Sequence, residues 1–380
     1  MEAGERDGLS HWSFFRELPL AEILKTIPVK LQERSYDIQI GRGNLSLAAT
    51  FVFQRLKSKQ AVVITDTHVE VPHAQAVIAS LAAAGIRGNL LVVPAGEASK
   101  CISQAADLWN RLLDLGADRK TAIIAVGGGV VGDLAGFVAA TFARGIPFVQ
   151  IPTSLMAQVD SSVGGKVGIN LPLAKNLVGA FWQPRGVLID LDTLLTLPER
   201  EYRSGLAEVV KYGVILDEDF FVFLEDHVAA VNLREPATLA HLIARSCELK
   251  AVVVSQDERE EAGQRVVLNY GHTFCHAIET VAGYGKYLHG EAVAIGMVCA
   301  SRLAEKLGRI PSDITLRQQN LLRSLGLPTE VEGLNQDELL AAMHRDKKAE
   351  SGKLRFVLPS RLGQVELVDD VPREKVLASF

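Results

Sequence analysis

The stretch 121-TAIIAVGGGVVGDLAGFVAA-140 is the clearest indication of the fold class in this sequence. An apolar, β-branched run, Thr121 to Val126, is followed by three glycines and then by small residues at helical spacing. A buried strand, a glycine turn and a helix in that order are typical of a βα unit in a parallel sheet. The glycines let backbone N–H groups approach a pyrophosphate, and the helix dipole adds to the attraction. The stretch therefore indicates an α/β fold with a candidate dinucleotide site at Gly128 and Gly129.

Similar runs extend this pattern along the chain. Further strands are predicted at residues 61–65, 89–93, 148–151 and 186–189, and helices at 74–84 and 102–115. After Pro198 helical spacing takes over, in residues 205–216, 236–254, 271–281, 290–307 and 315–325. We predict a Rossmann-like α/β N-terminal domain with a parallel sheet (31–198), followed by a mostly α-helical C-terminal domain (199–380). Residues 1–30 are an arm of unassigned role, and residues 354–359 are a candidate late strand.

Composition limits the class of partner. The chain has 380 residues, more than the roughly 250–300 at which single cores stop growing, so two domains are expected. With 48% hydrophobic and 22% charged residues it resembles a folded globular protein, and a net charge of −5 gives no basic face for nucleic acid. Because a local cluster of cations can still form a positive cleft, we expect small-molecule partners, anions included.

Neither a membrane nor an oxidising compartment is indicated. No apolar run reaches the roughly 18–20 residues that span a bilayer, and the acidic, polar N-terminus does not resemble a signal peptide. The four cysteines, Cys101, Cys247, Cys275 and Cys299, form no CxxC pair, which argues against disulfides and a thiolate zinc site. We expect a cytoplasmic protein.

Polar residues follow two of the predicted strands. Asp66 follows the strand at 61–65, and Glu97 to Lys100 follow the strand at 89–93, where ribose-binding side chains occur in dinucleotide-binding folds. However, the glycine turn is not the G-x-G-x-x-G fingerprint at the first strand, and such a turn is often only a tight connection. Asp66 taken alone is better explained as a helix N-cap.

Histidines cluster late in the chain. His272 and His276 are four residues apart, so they share a helical face, and His289 follows within the string HGE. Histidine is the commonest zinc ligand, and a catalytic zinc has three protein ligands and an open position. The sequence here is not HExxH, which argues against a zinc protease. By itself, the HxxxH spacing is more often that of ordinary surface or core histidines.

Glu208 and Lys211 share one face of another predicted helix, which Ser204 is placed to cap. A buried carboxylate there would complete a metal site, and the lysine would meet an anion. The spacing alone favours an ordinary i,i+3 surface ion pair, worth about tenths of a kcal/mol.

The segment 152–166, PTSLMAQVDSSVGGK, is dense in glycine and polar residues, which suggests the lining of a cleft. Other polar residues could add to it, although each alone is more often a solvated charge. Enough cations for a phosphate and a carboxylate together are supplied by Arg144, Lys175, Lys250, Arg265 and the pair Lys347 and Lys348.

Seven strings together resemble the 3-dehydroquinate synthases, a family of sugar phosphate cyclases, in order from about Tyr36 to the C-terminus. They are GGGVVGDLAGFVAATFARG, IPTSLMAQVDSSVGGKVGIN, KNLVGAFWQP, GLAEVVKYG, DERE, LNYGHTFCHAIE and LHGEAVAIGM. The resemblance implies a homodimeric enzyme that uses NAD and Zn²⁺ or Co²⁺. Its substrate would be 3-deoxy-D-arabino-heptulosonate 7-phosphate, an anionic sugar phosphate. The implied steps are transient oxidation by NAD, β-elimination of phosphate, re-reduction, ring opening and intramolecular aldol closure to 3-dehydroquinate.

The resemblance also implies roles for individual residues. The metal ligands would be Glu208, His272 and His289, with His276 as an acid–base residue and Glu260 as a proton acceptor. Substrate contacts would be Arg144, Asp160, Lys166, Asn176, Lys211, Lys250, Arg265, Asn269 and one of Lys347 and Lys348. NAD contacts would be Asp66, Glu97, Lys100, Gly128, Gly129, Val130, Asp133, Thr153, Ser154, Lys175, Thr193, Leu194, Leu195 and Thr196.

Some alternatives stay open. Between DERE and Arg265 the chain carries one residue more than the family pattern, so Glu260 and Glu261 compete for the same role. Another sugar phosphate cyclase is one rival function, although the string DSSVGGK argues against it. A metal-dependent alcohol or glycerol dehydrogenase is a second rival, and a nucleotide-binding regulatory module is a third.

Overall fold

A seven-stranded sheet underlies the first half of the chain in the computed structural model, which describes residues 21–172, 174–283, 285–345 and 354–380. The strands are β1 (Glu22–Val29), β2 (Tyr36–Arg42), β3 (Gln60–Asp66), β4 (Arg87–Val93), β5 (Ala122–Gly127), β6 (Phe148–Pro152), β7 (Lys166–Leu171), β8 (Ala174–Phe181), β9 (Val187–Asp190), β10 (Phe356–Arg361) and β11 (Gln364–Val368). The sheet order is β1-β2-β9-β6-β5-β3-β4. Only β1 and β2 pair antiparallel within it; the other neighbours are parallel.

Helices cover this sheet and dominate the second half. They are α1 (Ala48–Leu56), α2 (Gln75–Ala83), α3 (Ile102–Asp114), α4 (Gly129–Thr141), α5 (Glu199–Leu216), α6 (Glu218–Asp226), α7 (Val228–Asn232), α8 (Pro236–Gln256), α9 (His272–Ala282), α10 (His289–Lys306), α11 (Ser312–Ser324), α12 (Gln336–Arg345) and α13 (Arg373–Leu377). The predicted fold class is confirmed, because a parallel-dominated α/β half is followed by a mostly helical half. In the described ranges, none of these helices is long and apolar enough to cross a bilayer.

The central strands explain why the sequence prediction works. β5, β6 and β9 are buried along their whole length. A strand covered on both faces needs no polar alternation, so its sequence is one continuous apolar run. The glycine turn then ends β5, and the predicted helix after it is α4, which already begins at Gly129.

Two strand pairs go beyond the prediction. β1 lies within the arm of residues 1–30 and forms the edge of the main sheet. β7 and β8 form a separate antiparallel hairpin from residues that the sequence suggests only as a polar cleft lining. Most of β8 is exposed, so it lacks the apolar run by which a buried strand is recognised. The candidate late strand at 354–359 corresponds to β10, which pairs with β11.

The largest core joins the two halves. Ile38 of β2 packs in one cluster with Leu206 of α5, Ile243 of α8 and Val293 of α10. α5 begins at Glu199, so Ser204 lies inside the helix and the prediction that it caps the helix is wrong. The four cysteines are free, as expected.

Candidate active site

Three side chains that are far apart in the sequence meet where α5, α9 and α10 converge. Glu208 lies in α5, and His272 and His289 are the first residues of α9 and α10. Glu208 Oε1 lies 3.8 Å from His272 Nε2 and 3.7 Å from His289 Nε2. The candidate ligand atoms all lie within 4.8 Å of one another, so a single ion could contact all three. Glu208 is buried, but His289 keeps 42% of its side chain exposed, so the group is open on one side.

Close helix packing brings these residues together. A Cβ added at Gly290, next to His289, would lie 1.8 Å from Ser204 O in α5, one turn before Glu208. The Gly290 N–H instead donates a hydrogen bond to Ser204 Oγ at 3.1 Å. Only glycine allows this approach of the two backbones. The glycine of the HGE string is therefore part of how the site is built.

Lys211 pairs with Glu208 Oε2 inside the protein, where the two side chains are 2% and 1% exposed. The surface ion pair that the spacing alone favours is therefore wrong. Burial raises the pKa of Glu208, but Lys211 and His289 more than offset this and lower it below its usual value. Burial lowers the pKa of Lys211, but Glu208 and Asp160 raise it above its usual value. The carboxylate is thus held ionised, the form that binds a metal.

A second buried pair lies beside the first. Lys250 Nζ of α8 donates to Asp160 Oδ1 at 2.7 Å and to the Asp160 carbonyl at 2.6 Å. Tyr212 Oη donates to the same carboxylate oxygen at 2.6 Å. Burial by itself raises the pKa of Asp160, but Lys250 and Lys211 hold it well below its usual range. Glu208, Lys211, Asp160 and Lys250 therefore form a row of alternating charges.

Glu260 contacts two of the predicted substrate cations. Its Oε1 forms an ion pair with Lys166 at the start of β7, and Arg265 Nε lies 3.8 Å from the same oxygen. Both Glu260 and Glu261 are exposed, but within the described residues only Glu260 forms these contacts. Of the two glutamates that compete for one role, the structure brings Glu260 to these cations.

The predicted cofactor residues include a tight polar cluster. Lys100 Nζ donates to Asp133 Oδ2 and to Asn176 Oδ1, both at 2.5 Å. Burial raises the pKa of Asp133, and Lys100 opposes that effect. Glu97 Oε1 nearby accepts from Asn170 Nδ2 at 2.7 Å. Asn176, a predicted substrate contact, thus lies with two predicted NAD contacts.

The glycine turn offers space and donors for a pyrophosphate. Gly129 and Val130 open α4, so their N–H groups belong to the unpaired first turn of the helix. A Cβ added at Gly128 would lie 3.4 Å from Ser154 Oγ, in the loop that Thr153 begins after β6. Backbone donors and the helix dipole therefore point at the same space.

The structure is compatible with both explanations of Asp66, the structural cap and the predicted NAD contact. It is the last residue of β3, and its Oδ1 accepts from the N–H groups of His68 and Val69 at 2.8 and 3.1 Å. The carboxylate therefore caps the turn that leads toward α2.

The turn after β9 is only partly accessible. Thr193 and Leu194 are buried, whereas Leu195 is 63% exposed. Thr196 Oγ1 lies 2.7 Å from Nε2 of the buried His73. A ligand would therefore meet this turn mainly at Leu195 and Thr196.

Unusual backbone geometry marks three predicted site residues. Arg144, Asn176 and Glu260 have φ angles of 66°, 54° and 60°. A left-handed φ at a non-glycine residue costs about 1–3 kcal/mol and is found preferentially at functional sites. Arg144 is exposed in the turn after α4, and the described part of the chain shows no hydrogen bond or ion pair from it to the other candidates.

The remaining predicted positions lie around α9. His276 is one turn after His272, with ring centroids 5.7 Å apart, and it belongs to neither group of candidate metal ligands. Asn269 ends the short turn that precedes the helix. Lys347 and Lys348 lie outside the described residues.

Family models match both halves of the chain. The model for the 3-dehydroquinate synthase N-terminal part matches residues 90–204, and the model for the C-terminal part matches residues 205–349. Together they span more than half of the chain. The chain belongs to the 3-dehydroquinate synthase family.

Relatives in the 3-dehydroquinate synthase family match over nearly the whole length. A 3-dehydroquinate synthase from Rhodopirellula baltica is 49% identical over 369 residues, which cover 95% of this chain and 98% of the relative. A second, from Desulforamulus reducens, is 49% identical over 354 residues, 93% of this chain and 98% of the relative.

Solved structures with similar folds include cyclases that bind a nucleotide and a metal. A 2-deoxy-scyllo-inosose synthase complexed with carbaglucose-6-phosphate, NAD⁺ and Co²⁺ has a TM-score of 0.84 and 29% identity, covering 93% of this chain and 98% of that one. A 2-epi-5-epi-valiolone synthase from Streptomyces hygroscopicus subsp. jinggangensis with NAD⁺ and Zn²⁺ bound has the same TM-score of 0.84 and 29% identity, covering 92% and 97%. A probable glycerol dehydrogenase from Sinorhizobium meliloti, 16% identical with a TM-score of 0.61 and covering 89% and 94%, shows the fold alone.

The residues of this 3-dehydroquinate synthase family member fit both a metal ion and a dinucleotide. One carboxylate oxygen and two imidazole nitrogens are a donor set suited to Zn²⁺ or Co²⁺, and the side open to solvent leaves room for a substrate. The glycine turn and the start of α4 fit the pyrophosphate of a dinucleotide.

Two residues near the site are missing from the sequence prediction. Tyr212 is four residues after Glu208, so their shared helical face is a signal that could have found it. Glu279 in α9 lies 3.5 Å from His289 Nδ1, measured from its Oε1. No spacing rule connects Glu279 with His289, because the loop between α9 and α10 separates them.

Proposed function

We propose that this chain converts 3-deoxy-D-arabino-heptulosonate 7-phosphate to 3-dehydroquinate and phosphate with the help of NAD and Zn²⁺ or Co²⁺. The observation that carries the proposal is the convergence of Glu208, His272 and His289 within 4.8 Å of one another. The 49% identity to a 3-dehydroquinate synthase over 95% of the chain supports the same substrate.

The cations among the predicted substrate contacts suit a substrate with a phosphate and a carboxylate. Lys166 and Arg265 face Glu260 Oε1, so an incoming anionic group would compete with Glu260 for them. Lys250 is already held by Asp160, and its task is to keep that carboxylate ionised and in place. Charge-assisted contacts of this kind fix the orientation of an anionic substrate.

We assign proton transfer to two residues, Glu260 and His276. When bound, NAD⁺ supplies hydride acceptance and return, and the metal ion polarises substrate oxygens. Glu260 Oε1 can accept a proton from the substrate once the anionic group draws Lys166 and Arg265 toward itself. His276, one turn from His272 on the same helix, can exchange a proton with a substrate oxygen.

The alternatives have weaker support. The two solved cyclases with other products are 29% identical to this chain, compared with 49% for the 3-dehydroquinate synthases. The probable glycerol dehydrogenase shares the fold alone. A dehydrogenase also performs net oxidation, whereas the cyclase returns its hydride and leaves NAD unchanged.

Phosphate release tests this function directly. With NAD and the heptulosonate phosphate, we expect stoichiometric phosphate release without a steady rise in NADH absorbance. Treatment with a chelator should stop the release, and Zn²⁺ or Co²⁺ should restore it, because the metal stabilises charge on the reacting oxygens. Steady NADH accumulation would favour a dehydrogenase, and release that is insensitive to the chelator would contradict the metal site.

We further propose a cytoplasmic homodimer divided near residue 198 into an NAD-binding domain and a metal- and substrate-binding domain. The family resemblance supports the dimer. The free cysteines, three of them buried, are consistent with a reducing compartment. The main sheet ends with Asp190, and α5 starts at Glu199, which supports the division.

A further inference from the structure

We propose that Glu279 is a positioning residue for the metal centre, which holds the His289 ring by Nδ1 so that Nε2 faces Glu208. The inference rests on the proposed function only in taking Glu208, His272 and His289 as the metal ligands. Glu279 itself would not contact the ion or the substrate.

The geometry places the His289 ring between two carboxylates. Glu279 Oε1 lies 3.5 Å from His289 Nδ1, and Glu208 Oε1 lies 3.7 Å from His289 Nε2. A histidine that binds a metal through one nitrogen usually donates the N–H of the other to a carboxylate or carbonyl. A proton kept on Nδ1 leaves the lone pair on Nε2, the nitrogen on the Glu208 side.

Glu279 is itself held in place. Its side chain is 11% exposed, and its Oε1 lies 3.8 Å from Lys175 Nζ in the β7–β8 hairpin. Lys175 and His289 both approach this same oxygen, and the two contacts together favour the observed orientation of the carboxylate. Through this pair, the hairpin of the first half supports a metal ligand of the second half.

A competing explanation makes Glu279 a metal ligand, since Cys275, Glu279 and His289 also form a group with ligand atoms within 4.8 Å of one another. The ion pairs made by the carboxylate oxygens of Glu208 and Glu279 argue against this explanation. In the Glu208 group, Oε2 pairs with Lys211 and Oε1 faces the histidines. In the second group, Oε1 of Glu279 faces both Lys175 and His289. A cation bound there would lie close to the Lys175 ammonium, and this like-charge contact disfavours metal binding in the second group.

Metal affinity of the full chain tests the inference without an activity assay. Zn²⁺ binding to the metal-free protein is measured by competition with a chromophoric chelator, and the visible spectrum of the Co²⁺-loaded protein is recorded beside it. We expect Glu279→Leu to weaken Zn²⁺ binding by roughly 10–100-fold and to shift the Co²⁺ spectrum. Glu279→Gln should lose less Zn²⁺ affinity, because its amide oxygen can still accept a hydrogen bond from His289 Nδ1.

A matched control removes a different ion-paired glutamate. Glu225 of α6 binds Arg317 through both carboxylate oxygens, at 3.1 and 2.5 Å. Glu225→Gln should therefore bind Zn²⁺ like the wild type. Thermal unfolding of the metal-free variants checks that each is folded; if Glu279→Leu does not fold, Glu279→Gln carries the test.

The outcomes separate this inference from the proposed function. Wild-type affinity and an unchanged Co²⁺ spectrum in both Glu279 variants, with binding lost in His272→Ala, would overturn the role of Glu279 alone. Wild-type affinity in His272→Ala as well would show that the proposed metal site is wrong. Loss of binding as complete in Glu279→Gln as in His272→Ala would overturn the positioning role, because it would make Glu279 a ligand.

Discussion

Replacing His272 by alanine is expected to abolish metal binding and turnover together. His272 supplies one of three candidate ligands, and its Nε2 lies 3.8 Å from Glu208 Oε1. Removing a ligand should weaken binding by more than the roughly 10–100-fold loss typical of an outer-shell partner. Metal content after dialysis and phosphate release from the heptulosonate phosphate measure the two effects on the same sample.

The matched control lies one turn away on α9. His276→Ala removes a histidine whose ring centroid is 5.7 Å from that of His272 but which belongs to neither candidate ligand group. It should keep its metal and lose turnover, as expected for an acid–base residue. Full activity of a metal-free His272→Ala protein would defeat the metal mechanism, and metal loss in His276→Ala would make His276 a ligand.

A second large loss of activity is expected when Glu260 is replaced. Glu260→Gln should lower kcat by about 10²–10⁴-fold, the usual contribution of a general acid or base. The reason is that Gln cannot accept the proton that we assign to Glu260 Oε1, the oxygen that also contacts Lys166 and Arg265. Steady-state kinetics of phosphate release measure the change.

The neighbouring glutamate provides the comparison. Glu261 has the same side chain, but within the described residues the contacts with Lys166 and Arg265 are made by Glu260, so Glu261→Gln should keep kcat near that of the wild type. If Glu261→Gln is the more damaging of the two, the role belongs to Glu261. If both variants keep wild-type kcat, this loop contains no proton acceptor for the reaction.

Residue patterns predict those helices and strands that are buried in the same way along their whole length. The run at β5 is apolar throughout because the strand is buried on both faces, and the glycines after it allow the close turn that leads into α4. The mostly exposed β8 has no such signature, so the β7–β8 hairpin is not predicted. Hydrophobic periodicity reflects which side chains are buried. It therefore does not predict a strand that is stabilised mainly by its partner strand.

The candidate site depends on contacts that spacing does not encode. Helical spacing puts Glu208 and Lys211 on one face, but only the packing of α10 against α5 shows that this face is buried. Glu279 and His289 meet across a loop, so no periodic pattern relates them. Resemblance to a family supplies the ligand set that the residues alone leave open, but not the contacts that hold it.

X-ray absorption at the zinc edge of the zinc-loaded protein tests whether Glu208, His272 and His289 bind the ion, because the spectrum reports which atoms surround it. Ligation by Glu208, His272 and His289 predicts only oxygen and nitrogen neighbours, at about 2.0–2.2 Å, with the multiple scattering of two imidazole rings. A sulfur neighbour at about 2.3 Å would put the ion at Cys275 instead and would contradict the account.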